Sequence, residues 1–416
     1  MKRIVVIGGG LAGLVAATRL AGGGSSVTLV SEGLGGLQLS QGTIDVYGYN
    51  PGRVRAPMAA VAGAPAAHPY ARIGASAVRD GVAFLQDALG TGWLVGDPEV
   101  NLRLPTALGV LRPTALVPPS MAAGQAQAGQ RWAIVGFRQL KDFGAELVAG
   151  NLARAELPRG GRIEARPIVL DLPPRSGESD ASGLVYARAF DDPAFRERVV
   201  AALRPLLDGE TAVGFPAVLG LTDPEAWTAL RDALGVPVFE IPLPPPGIPG
   251  MRLGRRLTAV AKQRGVRFVA GSRAIGHEAD GLRLTGVVVG TAATPRRLRA
   301  DDVVYAPGGF ESGAITVDSR WGIRERLFGL PLAGLDDIDR LITDEYWDDP
   351  QSVFSVGVGV DAAMRPVRSD GSVVYENLFA IGGILAGACR WREKSGEGIA
   401  LGSAMAACRA IEAGYR

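Results

Sequence analysis

Three glycines near the N-terminus have the spacing of a nucleotide-phosphate site. Gly8, Gly10 and Gly13 follow the short apolar run Ile4 to Ile7 and precede apolar residues at helical spacing. In this motif the first glycine allows a tight turn, the second lets the backbone approach a pyrophosphate, and the third lets helix pack against strand. The helix start, with Leu11 and Ala12, offers N–H groups to the phosphates. The spacing therefore predicts a dinucleotide site; the alternative is a glycine-rich turn that holds no ligand.

The residues after the second predicted strand, Val27 to Val30, are candidates for a ribose contact. In folds of this kind an acidic residue about 20 residues after the glycines binds a ribose hydroxyl. Ser31 stands directly after the strand and Glu32 follows it. Either side chain could reach the ribose, and both are predicted cofactor residues.

Further glycines mark a loop, two more strand ends and a helix start. The loop after the second strand is rich in glycine and small polar residues and has no helical period, so it is either a ligand-lining loop or a flexible surface loop. One βαβ motif alone could hold NAD, but several glycine-marked strand ends with a terminal Gly-x-Gly helix favour a flavin within one large domain. The additional cofactor residues predicted on this basis are Gln38, Ser40, Gln41, Gly42, Gly308, Gly309, Gly383, Gly398 and Ile399.

The elements that must position these residues indicate an α/β fold. We predict a Rossmann-like FAD/NAD(P)-binding domain in two parts, residues 1–100 and 246–416, with an inserted α+β cap domain on the substrate side at 101–245. The inserted segment has proline-rich turns, short apolar runs such as Trp132 to Val135, and helical stretches at 142–154 and 193–207. We expect residues 50–75 to be an irregular connection, and residues 242–249 to be a proline-rich hinge before a helix at 253–264.

Composition excludes several classes of protein. A net charge of +2 gives no general attraction to nucleic acid or anionic lipid. No run approaches the ~20 apolar residues of a membrane span. Cys389 and Cys408 are the only cysteines, so the chain cannot ligate an iron–sulfur cluster or build a cysteine-based metal site by itself. We expect a cytoplasmic protein with two buried free thiols and no metal.

Five segments, spread in order over nearly the whole chain, carry a family resemblance. They are LPTALGVLRPTALVPPSM (104–121), PPPGIPGMRL (244–253), VVYAPGGFESGA (303–314), IRERLFGLPL (323–332) and ENLFAIGGILAG (376–387). The chain resembles the B subunit of anaerobic glycerol-3-phosphate dehydrogenase, a flavoprotein related to the fumarate reductase and succinate dehydrogenase flavoproteins. The resemblance implies oxidation of glycerol 3-phosphate to dihydroxyacetone phosphate, a step of glycerol metabolism.

The same resemblance implies cofactor and partners. It implies a heteromeric complex with a sister flavoprotein that carries much of the dehydrogenase chemistry, and with an iron–sulfur subunit that anchors the complex to the inner face of the membrane and passes electrons to quinone. The family is usually described with FMN, whereas the Gly8–Gly13 motif favours FAD, whose pyrophosphate it would hold. Related flavoproteins attach FAD to a histidine in the loop after the second strand; here that loop has no histidine, so we expect noncovalent flavin.

The sequence gives weaker signals for the residues that bind substrate than for those that bind the cofactor. A phosphate-bearing substrate needs cations, and the candidates are Arg112, Arg252, Arg138 and Lys141; a solvated or ion-paired surface arginine is the alternative for each. We expect the two histidines, His68 and His277, to be surface residues, so no base is identified. Two other functions stay open: a self-sufficient fumarate-reductase-like oxidoreductase on another small substrate, and a structural subunit that no longer holds flavin.

Overall fold

The computed structural model describes residues 1–158, 160–292, 294–344 and 351–415. The helices are α1 (Leu11–Gly22), α2 (Pro57–Ala62), α3 (Tyr70–Ile73), α4 (Ala75–Leu89), α5 (Pro119–Ala122), α6 (Ala145–Arg154), α7 (Gly183–Phe190), α8 (Pro193–Leu203), α9 (Ala226–Leu234), α10 (Ile248–Gln263), α11 (Arg390–Glu393) and α12 (Gly396–Ala413). Short 3₁₀ turns include Gly36–Leu39, Phe310–Ser312 and Gly382–Ile384.

The strands are mostly short. They are β1 (Arg3–Ile7), β2 (Ser26–Ser31), β3 (Tyr49–Asn50), β4 (Gly52–Arg53), β5 (Val95–Gly96), β6 (Leu102–Pro105), β7 (Leu111–Thr114), β8 (Leu116–Val117), β9 (Arg131–Phe137), β10 (Glu164–Leu170), β11 (Ala212–Pro216), β12 (Val238–Ile241), β13 (Arg267–Ala270), β14 (Ala274–Asp280), β15 (Arg283–Val289), β16 (Arg296–Arg299), β17 (Asp302–Tyr305), β18 (Ile315–Val317), β19 (Ile323–Glu325), β20 (Leu332–Ala333), β21 (Gly357–Val358) and β22 (Leu378–Ala380).

The chain divides into two compact units. The first consists of residues 1–36, 45–90 and 256–416, and the second of residues 37–44 and 91–255. The predicted inserted segment, 101–245, lies within the second unit, which also takes up the short stretch 37–44.

A five-stranded parallel sheet forms the centre of the first unit, in the order β13-β2-β1-β17-β22. Ile4 to Ile7 are buried, as the continuous apolar run requires of a strand covered on both faces. Helix α12 packs against α1 and α4. A Cβ at Gly81 of α4 would lie 2.7 Å from the backbone of Leu401, so this glycine allows α4 and α12 their close approach. An antiparallel ribbon, β14-β15-β16, connects β13 to β17 along the chain.

The second unit has its own parallel sheet, in the order β10-β9-β11-β12. Its core includes the buried rings of Trp132, Phe190, Phe215 and Phe239. The short apolar runs and proline-rich turns led us to expect α+β; the main sheet of this segment is parallel, while the pair β6-β7 within the same segment is antiparallel. The physical reason is that each connection between strands of the main sheet contains a helix, which returns the chain to the same edge and so makes neighbouring strands parallel.

Two local expectations differ from the structure. Residues 50–75, expected to be irregular, contain the short helices α2 and α3, and Pro57 begins α2 at a position that suits proline. The expected hinge at 242–249 ends in helix, because α10 begins at Ile248. The other predicted helices and strands agree with the structure to within a few residues at each end.

Candidate functional site

The carboxyl ends of the central strands are aligned by backbone hydrogen bonds that continue past the strands themselves. The N–H of Gly8 donates to Val30 O (2.9 Å), Ala306 N–H donates to Ile7 O (2.8 Å), and Ile381 N–H donates to Tyr305 O (2.9 Å). The turns that follow β1, β17 and β22 therefore begin at one edge of the sheet. Open α/β sheets bind their ligands at that edge.

In the first glycine turn, some glycines are needed for packing of the protein itself and one leaves space for a ligand. Gly8 has φ +114°, and a Cβ there would lie 1.9 Å from Ala306 O; a Cβ at Gly13 would lie 2.0 Å from Gly8 O. These two glycines are required by the protein's own packing. At Gly10, by contrast, a Cβ would meet nothing within 4 Å, and no side chain caps the start of α1. The space beside Gly10 is thus open, and the start of α1 at Leu11 and Ala12 has no side-chain cap, which fits a phosphate group.

The loop after β2 returns to this turn. Gly35 has φ +71°, and a Cβ there would lie 2.6 Å from Gly9 O, so the loop lies directly against the motif. Ser31 Oγ donates to Gly33 O. Glu32 accepts from Arg273 Nε at 2.7 Å, and this guanidinium lowers the pKa of the Glu32 carboxyl. Arg273 Nη2 donates to the other Glu32 oxygen, so both carboxylate oxygens are paired, and a contact of Glu32 with a ribose hydroxyl stays a prediction.

The predicted loop residues Gln38, Ser40, Gln41 and Gly42 belong to the second unit, where they pack against the start of α10. Gln38 O accepts from Gly247 N–H (2.9 Å), and Ser40 Oγ accepts from Gly42 N–H (3.2 Å). A Cβ at Gly42 would lie 2.6 Å from Pro249. The Gln41 side-chain oxygen is enclosed without a hydrogen-bond partner among the described residues, which fits a polar ligand group.

The start of α12 is buried by protein. A Cβ at Gly398 would lie 2.2 Å from Tyr70 Oη, Gly398 N–H donates to Asp45 O (3.1 Å), and Ile399 is buried. Packing against Tyr70 is a sufficient reason for glycine at this position. A contact of Gly398 or Ile399 with flavin stays a prediction.

The glycines after β17 and β22 adjoin a cation that sequence reasoning missed. Gly308 has φ +84°, and a Cβ at Gly383 would lie 2.0 Å from Arg390 Nη1. Arg390 Nη2 donates to Glu311 Oε1 (2.9 Å). The sequence did contain one signal for this cation, because Arg390 stands seven residues after the second glycine of the pair at the end of β22. Charged residues of a helix are usually solvated, however, so the sequence alone did not mark Arg390 as a site residue.

Both histidines are engaged, which corrects the expectation that they are surface residues. His68 is only 4% exposed; its Nε2 contacts Glu393 Oε2 at 3.1 Å, and its Nδ1 accepts from Tyr70 N–H at 3.1 Å. His277 is half-buried within β14, where its Nε2 contacts Tyr375 Oη (3.0 Å). These partners come from distant parts of the chain, so the local sequence gave no sign of them.

The four candidate phosphate-binding cations all lie in the second unit. Arg112 is buried and donates to Thr43 Oγ1 (2.9 Å). Arg138 pairs with Asp171 (3.1 Å), and Lys141 Nζ donates to Arg138 O (2.8 Å); both side chains are exposed.

The fourth candidate, Arg252, holds a buried carboxylate. It donates through Nη1 and Nη2 to the two oxygens of Glu240, at 2.8 Å each, and through Nε to Gly220 O at 2.7 Å. Glu240 also accepts from Ser120 Oγ (2.6 Å) and from the backbone N–H of Leu219 (2.9 Å). This network gives Arg252 a structural role, and a phosphate contact by Arg252 stays a prediction.

Three further observations concern membrane spans, metal sites and cysteines. Within the described ranges, no helix is long and apolar enough to cross a lipid bilayer. Across the same part of the chain, no group of three or more His, Cys, Asp or Glu side chains is arranged to hold a metal ion. Cys389 and Cys408 are both buried and unpaired.

Comparison with known proteins covers almost the full chain. The FAD binding domain family matches residues 3–399. The chain is 35% identical over 417 residues to the probable B subunit of anaerobic glycerol-3-phosphate dehydrogenase from Halobacterium salinarum, covering 98% of this chain and 96% of that protein. It is 32% identical over 417 residues to the B subunit of anaerobic glycerol-3-phosphate dehydrogenase from Pectobacterium atrosepticum, covering 97% and 96%.

Among solved structures, 3-ketosteroid delta1-dehydrogenase from Sterolibacterium denitrificans aligns over 100% of both chains, with 12% identity and a TM-score of 0.47. The family match and the near-complete relatives agree with the glycine turn, the parallel sheet and the five sequence segments described above. This chain therefore belongs to the FAD binding domain family and, within it, to the family of anaerobic glycerol-3-phosphate dehydrogenase B subunits.

Proposed function

We propose that this chain is the flavin-binding B subunit of an anaerobic glycerol-3-phosphate dehydrogenase and takes part in oxidising glycerol 3-phosphate to dihydroxyacetone phosphate. The observation that carries this proposal is the 35% identity to a probable B subunit over 98% of the chain. The open α1 terminus at Gly10 supports it, because a protein that had lost its cofactor would have no reason to keep that terminus clear of side chains.

The cofactor we propose is FAD. The α1 terminus is a site for an anion, and the space beside Gly10 suits the close approach of a pyrophosphate. FAD contains a pyrophosphate and FMN only one phosphate. Ser31 ends β2 and Glu32 follows it, at the distance from the motif at which a ribose is bound, which favours a dinucleotide again.

The flavin is held without a covalent bond. Residues 31–45 contain no histidine. His68, the nearest histidine in sequence, has one ring nitrogen against Glu393 and accepts a backbone hydrogen bond with the other. Gly10, Leu11 and Ala12 would hold the pyrophosphate through backbone N–H groups, with Glu32 accepting from a ribose hydroxyl.

Partners complete the reaction. When bound, flavin accepts the two electrons that a secondary alcohol loses on becoming a ketone. Those electrons must leave, and two cysteines are too few to ligate a four-cysteine cluster within this chain. We propose a sister flavoprotein subunit and an iron–sulfur subunit that delivers electrons to quinone and brings the complex to the inner face of the membrane.

The test begins with the purified chain. We expect a flavin absorbance spectrum, release of the yellow colour into the supernatant on acid precipitation, and FAD in the chromatogram of that supernatant. Colour retained in the pellet refutes noncovalent binding, and FMN in the supernatant refutes the choice of FAD. A chain that stays colourless after both flavins are added is a structural subunit.

Turnover separates the remaining alternatives. We expect slow reduction of a quinone analogue by glycerol 3-phosphate with the isolated chain, and a rate restored by adding the sister and iron–sulfur subunits. Turnover by the chain alone at typical enzyme rates of about 1 to 1000 per second would contradict the need for partners. Rapid reduction of the flavin by another small substrate that can give up two electrons, with none by glycerol 3-phosphate, would favour the self-sufficient oxidoreductase.

A further inference from the structure

An ion pair covers the glycines at two neighbouring strand ends of the first unit. Arg390 begins α11, and Glu311 lies in the 3₁₀ turn Phe310–Ser312 that follows β17. Their side chains meet with 2.9 Å between Arg390 Nη2 and Glu311 Oε1. The glycine turns after β17 and β22 bring them together, although the two residues are 79 positions apart in sequence.

Glycine at these two positions makes room for the guanidinium. A Cβ at Gly383 would lie 2.0 Å from Arg390 Nη1, and a Cβ at Gly309 would lie 3.1 Å from Arg390 Nη2 and 2.9 Å from Glu311 Oε2. Any other residue at 383 would displace Arg390. The turn after β22 is held in place by α12, because Gly382 N–H donates to Ser403 Oγ of that helix at 2.9 Å.

The pair is asymmetric in its contact with water. The Arg390 side chain is 24% exposed and the Glu311 side chain 62% exposed. The cation is thus the enclosed member, held against the backbone of both turns, while the carboxylate is solvated and screens it only in part. A half-enclosed cation at the carboxyl edge of a parallel sheet stands where ligands of such sheets bind.

We propose that Arg390 supplies positive charge beside the flavin, and that Glu311 sets how much of that charge the cofactor experiences. This inference rests on the proposed function. Positive charge near a flavin favours the negative charge that the cofactor gains on reduction. Arg390 therefore raises the tendency of the flavin to accept electrons, and Glu311 moderates it.

The test is the reduction potential of the flavin in the purified holoprotein, measured with dye equilibration. We expect R390Q to lower the potential, E311Q to raise it, and R390K, which keeps the charge, to stay close to wild type. The matched control is R365Q, since Arg365 forms a comparable pair with Asp361 at 2.8 Å and has a similarly exposed side chain, 25%. We expect no shift in potential for R365Q.

Thermal unfolding of the flavin-free variants shows whether the Arg390–Glu311 pair acts on the flavin through its charge or only stabilises the two turns. Potentials unchanged in both R390Q and E311Q, with a lowered Tm, would show that the pair only braces the two turns and would overturn the proposal. If R390Q is isolated without flavin, E311Q decides: a raised potential supports the proposal and an unchanged one overturns it. A wild-type chain that binds no flavin defeats the proposed function itself, so the two failures are distinguishable.

Discussion

The substitution Gly10→Val should remove flavin binding while leaving the flavin-free fold intact. Gly10 has φ −78° and ψ −174°, an extended conformation that valine adopts readily. A Cβ there meets no atom within 4 Å. The branched side chain would instead fill the space in front of the α1 terminus, where the phosphates must approach.

The expected magnitudes differ for the two states. In the flavin-free protein, valine loses the modest capping preference of glycine, about 1 kcal/mol, but lowers the entropy of the unfolded chain by about 0.4–1 kcal/mol. The net change in the free energy of unfolding should therefore be within about 1 kcal/mol. In the complex, loss of two charge-assisted hydrogen bonds at about 1.5–3 kcal/mol each predicts at least ~100-fold weaker flavin binding.

The assay pairs flavin titration, followed by fluorescence, with thermal unfolding of the flavin-free protein. Gly13→Ala is the control, because its Cβ would lie 2.0 Å from Gly8 O. That backbone clash should cost about 1–3 kcal/mol, or about 1–3 °C in Tm for a chain of this length. We thus expect Gly10→Val to lose flavin alone, and Gly13→Ala to lose stability as well.

The reasoning fails if Gly10→Val retains wild-type flavin affinity, because the open terminus would then have no role in binding. It fails equally if Gly10→Val lowers the Tm of the flavin-free protein as far as Gly13→Ala does. In that case the space beside Gly10 would be needed by the fold rather than by a ligand.

Three further predictions concern stability and substrate. Glu240→Gln should lower the free energy of unfolding by about 3–5 kcal/mol in urea titration, since the buried carboxylate accepts two 2.8 Å bonds from Arg252; a loss below about 1 kcal/mol would contradict this. Arg112→Ala should lower the Tm of the assembled complex with an unchanged KM for glycerol 3-phosphate, because Arg112 is buried and donates to Thr43; a raised KM at unchanged Tm would instead assign it to the substrate phosphate. Hydrogen bonds from Arg3 lower the pKa of Asp301 to about 2. A lowered pKa stabilises the fold above the ordinary carboxyl pKa of about 4, and this stabilisation is lost as the pH falls toward 2. Arg3→Gln should remove that part of the acid sensitivity, and identical Tm-against-pH curves for mutant and wild type would refute it.

The local signals were sufficient where a short stretch determines its own structure. The apolar run before Gly8 and the helical period after it predicted β1 and α1, and the structure confirms both. The family assignment is also confirmed by the family match over residues 3–399 and by relatives that align over nearly the whole chain. It rested on five segments, each a continuous stretch of sequence. These features depend on residues that are neighbours in sequence.

Features that depend on distant partners could not be predicted. His68 is buried because Glu393, 325 residues away, faces it, and nothing around His68 signals that contact. The inserted segment has parallel strands because of how its helices connect them, which short apolar runs do not reveal. Glycine is ambiguous for a related reason: Gly10 leaves open space and Gly398 fits against Tyr70, yet both stand in Gly-x-Gly patterns.

The pairing of β1 with β17 has a consequence for synthesis of the protein. Val5 lies opposite Val303, so β1 leaves the ribosome about 300 residues before its neighbour in the sheet. At a synthesis rate of about 5–20 residues per second, the edge of β1 that pairs with β17 stays unpaired for roughly 15 to 60 s. All four strands of the other sheet, β9 to β12, are synthesised during that interval. The nascent chain should therefore depend on chaperones that shield β1 and β2, and ribosome-bound chains that end before β17 should be trapped by such chaperones and cleaved readily in their first 36 residues.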